Sequence, residues 1–284
     1  MPAAETWRPS CSIGALRARA ELLAQVRSFF AERDVLEVQT SCIGRHTVTD
    51  PHIESIAVPG MGFLQTSPEY QLKRLLAAGA PSLYQIGPVF RAGEIGRLHN
   101  SEFTMLEWYR LGFDDSALMA ELVELIDLLL GPAEYHYVRY ADVLDRAPNP
   151  EVDRDLAFAE GLAAFGAERL FITDFPVELA ALARLRGSPP VAARFELVIA
   201  GVEVANGYHE LGDAAQLDER FAADVALRKR LGLAQPAVDV AFLAAMDSGF
   251  PECAGVAVGV ERLLMHKLNA RSLAEVMPFP SGRA

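Results

Sequence analysis

The sequence has few cysteines and no long hydrophobic run. Its three cysteines, Cys11, Cys42 and Cys253, lie far apart and form no CxxC pair, which argues against both a disulfide framework and a zinc site. No apolar stretch is long enough to span a membrane, and the first residues, MPAAETWRPSC, lack the basic and apolar regions of a secretory signal. These absences predict a soluble, cytoplasmic protein with no membrane partner.

Positive charge is scarce as well. Lys and Arg number 26 against 38 Asp and Glu, which gives a formal net charge of −12. A protein that binds nucleic acid through many phosphate contacts usually carries a basic face, so direct tRNA or DNA binding is not expected. The proportions of hydrophobic and charged residues, 51% and 23%, are ordinary for a globular protein and argue against disorder.

The nucleotide-binding motifs of parallel α/β folds are absent. The chain has neither a GxGxxG after a first strand nor a GxxxxGK[ST] loop, so a Rossmann or P-loop site is not expected. Strand-like and helix-like segments cluster instead of alternating, and several strand pairs are typical of hairpins. This pattern favours an α+β fold in which an antiparallel sheet is flanked by helices.

Local patterns predict many of the elements. Apolar residues at helical spacing predict a helix over about 15–33, and Ser67 as N-cap with Pro68 at the first helical position predicts a second helix that ends before Gly79. The remaining predictions are a strand in VLEVQTS, a hairpin formed by SLYQIGPVFR and EFTMLEWYR, a helix in DDSALMAELVELIDLLLGP, a strand in RLFITDFP, a hairpin that turns at Ala200-Gly201, a helix that ends at Gly232, and a strand followed by a helix in AGVAVGVERLLMHKL.

Glu196 and Glu203 are a candidate pair of site residues. If Ala200-Gly201 forms a two-residue turn, Val198 opposes Glu203, and Glu196 lies on the same face two residues farther along its strand. Two carboxylates placed so are unfavourable unless a cation or a shared proton compensates them, and such oxygen ligands suit Mg²⁺ bound together with phosphates. A solvated glutamate at a strand edge is an equally good interpretation of the spacing.

Four other charged residues are candidates. Arg91 ends the first strand of the long hairpin and Arg262 begins the last helix. Guanidinium groups bind phosphate oxygens bidentately, although arginines at strand ends are often simply exposed. Glu69, in the first turn of its helix, and Glu210, near the second hairpin, are acceptors for a ligand amine. The alternatives are stabilisation by the helix dipole for Glu69 and an ordinary surface position for Glu210.

The long hairpin also contains aromatic residues and a histidine. Trp108 and Tyr109 alternate sides of their strand, so one is expected to face the core and the other the opposite surface. His99 in the loop is more typical of a hydrogen-bonded loop histidine than of a catalyst. No Ser/His/Asp or Cys/His set indicates a nucleophilic mechanism.

Taken together, several segments resemble class II aminoacyl-tRNA synthetases. AELLAQVRSFFAERDVLEVQTS is similar to motif 1 of that family, FRAGEIGRLHNSEFTMLEWYR to motif 2 and GVAVGVERLLM to motif 3. TSPEYQLKRLL and GVEVANGYHEL resemble the lysyl-tRNA synthetase branch. The resemblance implies a homodimer and a single class II synthetase-like catalytic domain over residues 1–284. Because motif 1 directly follows MPAAETWRPSC, no anticodon-binding OB-fold domain is expected.

Such a stand-alone catalytic core resembles the elongation factor P lysine ligases, which are paralogues of lysyl-tRNA synthetase. The resemblance implies that ATP and Mg²⁺ convert lysine or (R)-β-lysine into an acyl-adenylate. The acyl group would then pass to the ε-amine of a lysine on elongation factor P. Direct tRNA binding is not implied.

The resemblance also implies roles for individual residues. Arg91 and Arg262 would be catalytic and would bind the α- and γ-phosphates, and Glu196 and Glu203 would bind Mg²⁺. The implied ATP-binding residues are Arg91, Gly93, His99, Asn100, Glu203, Val204, Gly259 and Arg262. The implied substrate-binding residues are Ser67, Pro68, Glu69, Glu107, Tyr109, Asn206 and Glu210. Of these, Ser67 and Glu69 would meet the backbone amine, and Tyr109 and Glu210 the distal ammonium.

Three positions depart from the usual motifs. Gly93 occupies the position of the acidic residue in FRxE, Ser41 that of a proline in motif 1, and Ser101 that of the proline in HNPE. Two alternatives to the ligase stay open. One is a lysyl-tRNA synthetase-like enzyme that uses tRNA or another amine as acceptor, and the other is a non-catalytic paralogue that binds ATP or an amino acid and regulates a partner.

Overall fold

The computed structural model describes residues 7–148, 153–166 and 168–284, so the first six residues of MPAAETWRPSC lie outside it. The helices are α1 (Ile13–Ala31), α2 (Glu69–Ala77), α3 (Asp115–Leu130), α4 (Tyr140–Leu144), α5 (Arg154–Phe165), α6 (Ala214–Arg230), α7 (Val240–Asp247) and α8 (Val260–Leu268). The strands are β1 (Leu36–Glu37), β2 (Ile43–Gly44), β3 (Ala57–Val58), β4 (Gly62–Leu64), β5 (Leu83–Phe90), β6 (Glu102–Leu111), β7 (Tyr135–Arg139), β8 (Arg169–Phe175), β9 (Leu185–Arg186), β10 (Val191–Ile199), β11 (Val202–His209) and β12 (Cys253–Gly259). Among the described helices, none combines the length and the hydropathy needed to cross a bilayer.

These elements confirm the predicted α+β class and most of the predicted boundaries. Helix α1 starts and ends two residues earlier than the predicted helix over about 15–33. The two predicted hairpins correspond to β5 with β6 and to β10 with β11. Ala200 and Gly201 form the second turn with φ values of 46° and 79°. Positive φ at both central residues is the geometry that joins twisted antiparallel strands in a two-residue loop.

The start of α2 corrects one prediction. Pro68, not Ser67, is the N-cap residue, and no side chain caps the helix. The backbone oxygen of Pro68 accepts a hydrogen bond from Leu72 N at 2.9 Å, so the helix begins one residue later than the sequence pattern indicated. The predicted C-terminal signal is confirmed, because Gly79 lies just past the helix with a φ of 93°.

The chain divides into two compact units. The first comprises the described residues up to 108 together with 212–251 and 259–284, and the second comprises 109–211 and 252–258. Strand β6 therefore begins in the first unit and ends in the second. The organisation as one catalytic domain, expected from the sequence, stays a prediction.

The core of the first unit forms where α1 covers strands of the sheet. In this unit β1 pairs in parallel with β5, and β5 neighbours the beginning of β6. Phe30 of α1 is fully buried; its ring stacks on Tyr84 with a centroid distance of 4.4 Å and meets Trp108 at 5.3 Å. Aromatic burial of this kind contributes several kcal/mol per residue relative to truncation, on the order of 3–5 kcal/mol, and fixes the strand that carries the motif 2 residues.

The second unit contains a sheet with the strand order β12-β11-β10-β8-β7. The pairs from β12 to β8 are antiparallel, and β7 joins β8 in parallel. Helices α4 and α5 cover one face of β8 and β10, where Tyr140 and Val143 pack with Ile172 and Val198. Of the candidate site residues in this unit, Glu196 lies on β10, Glu203, Val204 and Asn206 lie on β11, Tyr109 lies on β6, and Glu210 directly follows β11.

We expect Gly161→Ala to destabilise the second unit. Gly161 is buried in α5, and a β-carbon there would overlap the backbone oxygen of Val143 and lie 3.4 Å from its Cγ1. Overpacking against backbone typically costs about 1–3 kcal/mol, measurable by urea unfolding. Gly14→Ala in α1 is the matched control, since its β-carbon would meet only Ser12 Oγ at 3.4 Å. Equal stability of the two variants would contradict the packing at Gly161.

Candidate active site

Arg91 lies at the end of β5 beside the segment that precedes α2. Its Nε donates to the backbone oxygen of Thr66 at 3.4 Å, and its guanidinium lies over the ring of Phe103, 5.3 Å from the centroid. Its Nη1 is 3.7 Å from Glu94 Oε1. The structure therefore brings Arg91 next to the predicted substrate segment that begins at Ser67, with its charge partly balanced by Glu94.

Gly93 follows Arg91 in the loop and lines a cleft of about 310 Å³. Its φ is 75°, and a β-carbon at this position would have no atom within 4 Å. The glycine is thus favoured by the left-handed backbone and not by a lack of space. Glu54 and Glu94 also line the cleft, and Ala92 N donates to Glu54 O at 2.8 Å, which fastens the loop.

Arg262, His99 and Gly259 lie together at the start of α8. Arg262 Nη2 is 3.1 Å from His99 Nε2, and Gly259 is the N-cap residue of the helix. A β-carbon at Gly259 would only touch the side chain of Arg262, at 3.6 Å from Cδ. The predicted motif 3 arginine therefore meets a residue of the motif 2 loop.

Asn100 is buried, and its side chain is bonded within the protein. Its Nδ2 donates to Glu102 O at 2.6 Å, and its Oδ1 accepts from Ser281 N at 2.7 Å. The amide thereby fixes the end of the loop to the C-terminal segment.

The buried carboxylate of Glu261, which sequence reasoning missed, anchors the first turn of α8. Glu261 Oε1 accepts from Arg19 Nη1 at 2.8 Å, and its Oε2 accepts from Thr104 N at 2.9 Å. Arg19 Nη2 also donates to Thr104 Oγ1 at 2.6 Å. The available signal was an acidic residue directly before Arg262 in the motif, but its partner is 242 residues away.

The predicted amine-binding segment lies at the start of α2. Pro68 is buried, Ser67 is half-buried, and Glu69 occupies the first turn of the helix. Glu69 Oε1 lies 2.7 Å from Lys73 Nζ, one turn later. Glu107, also predicted to bind substrate, is a buried residue of β6. No role for Lys73 was inferred from the sequence.

In the second unit, Glu196, Glu203 and Asn206 share one face of the β10–β11 hairpin. Val198 pairs with Glu203 as predicted, but a bulge shifts the register so that Glu196 pairs with Asn206. Val204 is the extra residue, because Leu197 pairs with Ala205. The predicted pairing of Val198 with Glu203 is confirmed, and the bulge adds Asn206 to the face that carries the two glutamates.

Arg194 lies two residues before Glu196 on the same strand face. Its Nη2 donates to Glu196 Oε1 at 2.6 Å, and its Nη1 donates to Leu179 O at 2.8 Å. Burial alone would lower the pKa of Arg194, but the nearby Tyr208 and the carboxylate of Glu196 outweigh it, so its pKa is raised. Glu196 is therefore a paired carboxylate, which the sequence pattern did not indicate.

Tyr109, Glu210 and Gly255 form a tight cluster. A β-carbon at Gly255 would overlap the Tyr109 ring and lie 2.6 Å from Glu210 Oε1, so glycine is required for both side chains to lie there. Glu210 is 1% exposed, and the prediction that it occupies an ordinary surface position is wrong. Tyr109 and Trp108 are both buried, which corrects the expectation that one of them faces a surface.

The donor set for a metal is limited to two carboxylates. Within residues 7–148, 153–166 and 168–284, no three or more histidine, cysteine or acidic side chains come together as a metal site. Glu196 and Glu203 nevertheless offer hard oxygen ligands on one face. This set fits Mg²⁺, which is commonly bound by one or two carboxylates plus substrate phosphates and water.

Comparisons with known proteins identify the family of the chain. The elongation factor P–(R)-beta-lysine ligase of Vibrio cholerae is 42% identical over 320 aligned positions, which cover 98% of both chains. The protein of the same name from Hamiltonella defensa is 39% identical over the whole of both chains, and that from Salmonella typhi is 40% identical over 98% of each. The family described as tRNA synthetases class II (D, K and N) matches residues 7–283. The chain therefore belongs to the class II tRNA synthetase family, among relatives that are named elongation factor P–(R)-beta-lysine ligases.

Proposed function

We propose that this protein activates lysine or (R)-β-lysine with ATP and transfers the acyl group to a lysine of elongation factor P. The observation that carries the proposal is the cluster of Tyr109, Glu210 and Gly255, in which a buried carboxylate lies against a tyrosine ring. A carboxylate and a hydroxyl suit the distal ammonium of a diamino acid. The names of the relatives, which match nearly the whole chain, support the same reaction.

The proposed first step is an in-line displacement at the α-phosphorus of ATP. A carboxylate oxygen of the amino acid bonds to this phosphorus, the bond to the bridging oxygen breaks, and pyrophosphate leaves. Arg91 binds the α-phosphate and Arg262 with His99 binds the γ-phosphate. The guanidinium groups of Arg91 and Arg262 stabilise the charge that develops on the phosphate oxygens, while Gly93, Val204, Gly259 and the backbone of Asn100 bind the rest of the nucleotide.

The proposed metal ligands are Glu196 and Glu203. Bound Mg²⁺ would neutralise negative charge on the phosphates. Arg194 holds one oxygen of Glu196, so the other oxygen is directed by the same bond. Asn206, the strand partner of Glu196, adds an amide that binds the substrate.

The proposed amino-acid site accepts two amines and one carboxylate. Ser67, Pro68 and Glu69 bind the amine nearest the carboxylate, and Glu107, a buried residue of β6, is a further substrate-binding residue of the proposal. Tyr109 and Glu210 bind the distal ammonium. In the second step the ε-amine of the acceptor lysine attacks the acyl carbon, AMP leaves with the bonding electrons, and the amine loses a proton.

We also propose that the enzyme is a homodimer in the cytoplasm and that it does not bind tRNA directly. The segment that resembles motif 1 supports the dimer, and the proposed acceptor, a translation factor, supports the location. The net charge of −12 favours a basic protein surface over a phosphate backbone as partner.

Pyrophosphate exchange and mass spectrometry test the proposed function together. We expect exchange into ATP that depends on lysine or (R)-β-lysine, and a mass increase of one acyl group on elongation factor P. No exchange with any diamino acid would leave the non-catalytic paralogue as the better description. Exchange with an unmodified factor but acylated tRNA would favour the synthetase-like alternative.

Glu210→Gln tests the distal ammonium site. The substitution keeps the shape of the side chain but removes a charge-assisted hydrogen bond worth roughly 1.5–3 kcal/mol. We expect the KM for the amino acid in the exchange assay to rise about 10- to 100-fold, with little change in the KM for ATP. Glu178→Gln is the control, because Glu178 is exposed and its carboxylate pairs with the exposed Arg154. Equal losses for both substrates would contradict the role of Glu210.

Glu196→Gln and Glu203→Gln test the metal site. Each substitution replaces a charged oxygen ligand with a neutral one, so the Mg²⁺ concentration for half-maximal exchange should rise by at least about 10-fold. Titration of the assay with MgCl₂ at saturating amino acid measures the effect. An unchanged requirement in both variants would exclude this carboxylate pair as the metal ligands.

A further inference from the structure

Helix α2 carries a lysine at a core position. Glu69, Leu72, Lys73 and Leu76 recur at the spacing of one helix face. The last three are buried, and the side chain of Lys73 is 0% exposed. Lysine is almost never fully buried unless it is paired. Its burial here calls for a compensating negative group.

Glu69 supplies that negative group. Lys73 Nζ lies 2.7 Å from Glu69 Oε1, at the i,i+4 spacing of a helix, and the side chain of Glu69 is 17% exposed. Removal of one member of a buried pair leaves the other charge uncompensated. Each side chain therefore fixes the position of the other.

We propose that Lys73 is a positioning residue that makes Glu69 selective for the amine nearest the substrate carboxylate. This inference rests on the proposed function, in which Glu69 binds that amine. The bond to Lys73 engages one carboxylate oxygen and directs the other. A carboxylate that is held in one direction binds an amine at one position, whereas a mobile carboxylate would bind amines over a range of positions.

The location of Glu69 gives this selectivity a reference point. Arg91 Nε donates to Thr66 O at 3.4 Å, three residues before Glu69. The group proposed to bind the α-phosphate is thereby fastened to the segment that leads into α2. The Lys73–Glu69 pair consequently sets the distance between Arg91, where the substrate carboxylate would react at the α-phosphate, and the acceptor for the adjacent amine. This distance distinguishes amino acids that carry their amines on different carbons.

Exchange kinetics with and without that amine test the proposal. The probes are the better of lysine and (R)-β-lysine, and 6-aminohexanoate, which keeps the carboxylate and the distal amine but lacks the second amine. The wild-type protein should prefer the diamino acid in kcat/KM. Lys73→Met should reduce kcat/KM for the diamino acid about 10- to 100-fold and leave 6-aminohexanoate within about 3-fold, so the preference collapses.

Lys229→Met is the matched control, because Lys229 is exposed in the last turn of α6. It should retain the wild-type preference. Equal losses for both probes in Lys73→Met would show that Lys73 serves only the fold, and an unchanged preference would also overturn the proposal. If Lys73→Met does not fold, as judged by circular dichroism, Lys73→Gln takes its place. Failure of both variants to fold would likewise assign Lys73 to the fold alone.

The outcomes separate this inference from the function on which it rests. Wild-type exchange with neither lysine nor (R)-β-lysine would overturn both. Wild-type exchange that prefers the diamino acid, combined with an unaltered preference in the Lys73 variants, would overturn the positioning role and leave the proposed function intact.

Discussion

The ion pair between Glu261 and Arg19 is the interaction on which the packing of α1, β6 and α8 in the first unit depends. Glu261 is 3% exposed and also accepts a hydrogen bond from Thr104 N, so one carboxylate joins α1, β6 and α8. Removal of Arg19 would leave the buried carboxylate of Glu261 without a compensating charge, a loss of about 3–5 kcal/mol. Because Arg262 is the next residue, the same bond sets the direction of a guanidinium proposed to bind phosphate.

In the second unit the comparable constraint is the bulge in β11. Side chains alternate between the two faces of a strand, so in a regular ladder the side chains of Glu203 and Asn206 would lie on different faces of the sheet. The extra residue, Val204, shifts the alternation by one position, so that Asn206 pairs with Glu196 and lies on the same face as Glu203. One inserted residue thus collects two carboxylates and an amide on a single face. Bulges often re-aim side chains next to active sites.

The sequence predicted the elements better than the bonds between them. Capping residues, turn glycines and hydrophobic periodicity are local, so the hairpin at Ala200-Gly201 and the register of Val198 with Glu203 were correct. The N-cap at Ser67 was wrong because the chain enters α2 one residue later. Burial of Tyr109 and Glu210 depends on Gly255 from a distant segment, and no local pattern contains that information.

The same limit explains why the sequence did not predict the basic side chains that bond to three of the glutamates. Glu69, Glu196 and Glu261 each bond to a basic side chain, at a spacing of four, two and 242 residues. Each of these basic partners offsets part of the negative charge of its carboxylate. What the pairing supplies is direction, because one oxygen is fixed and the other is aimed. The sequence motifs identify the acidic residues, but only the structure shows which basic side chain holds each of them.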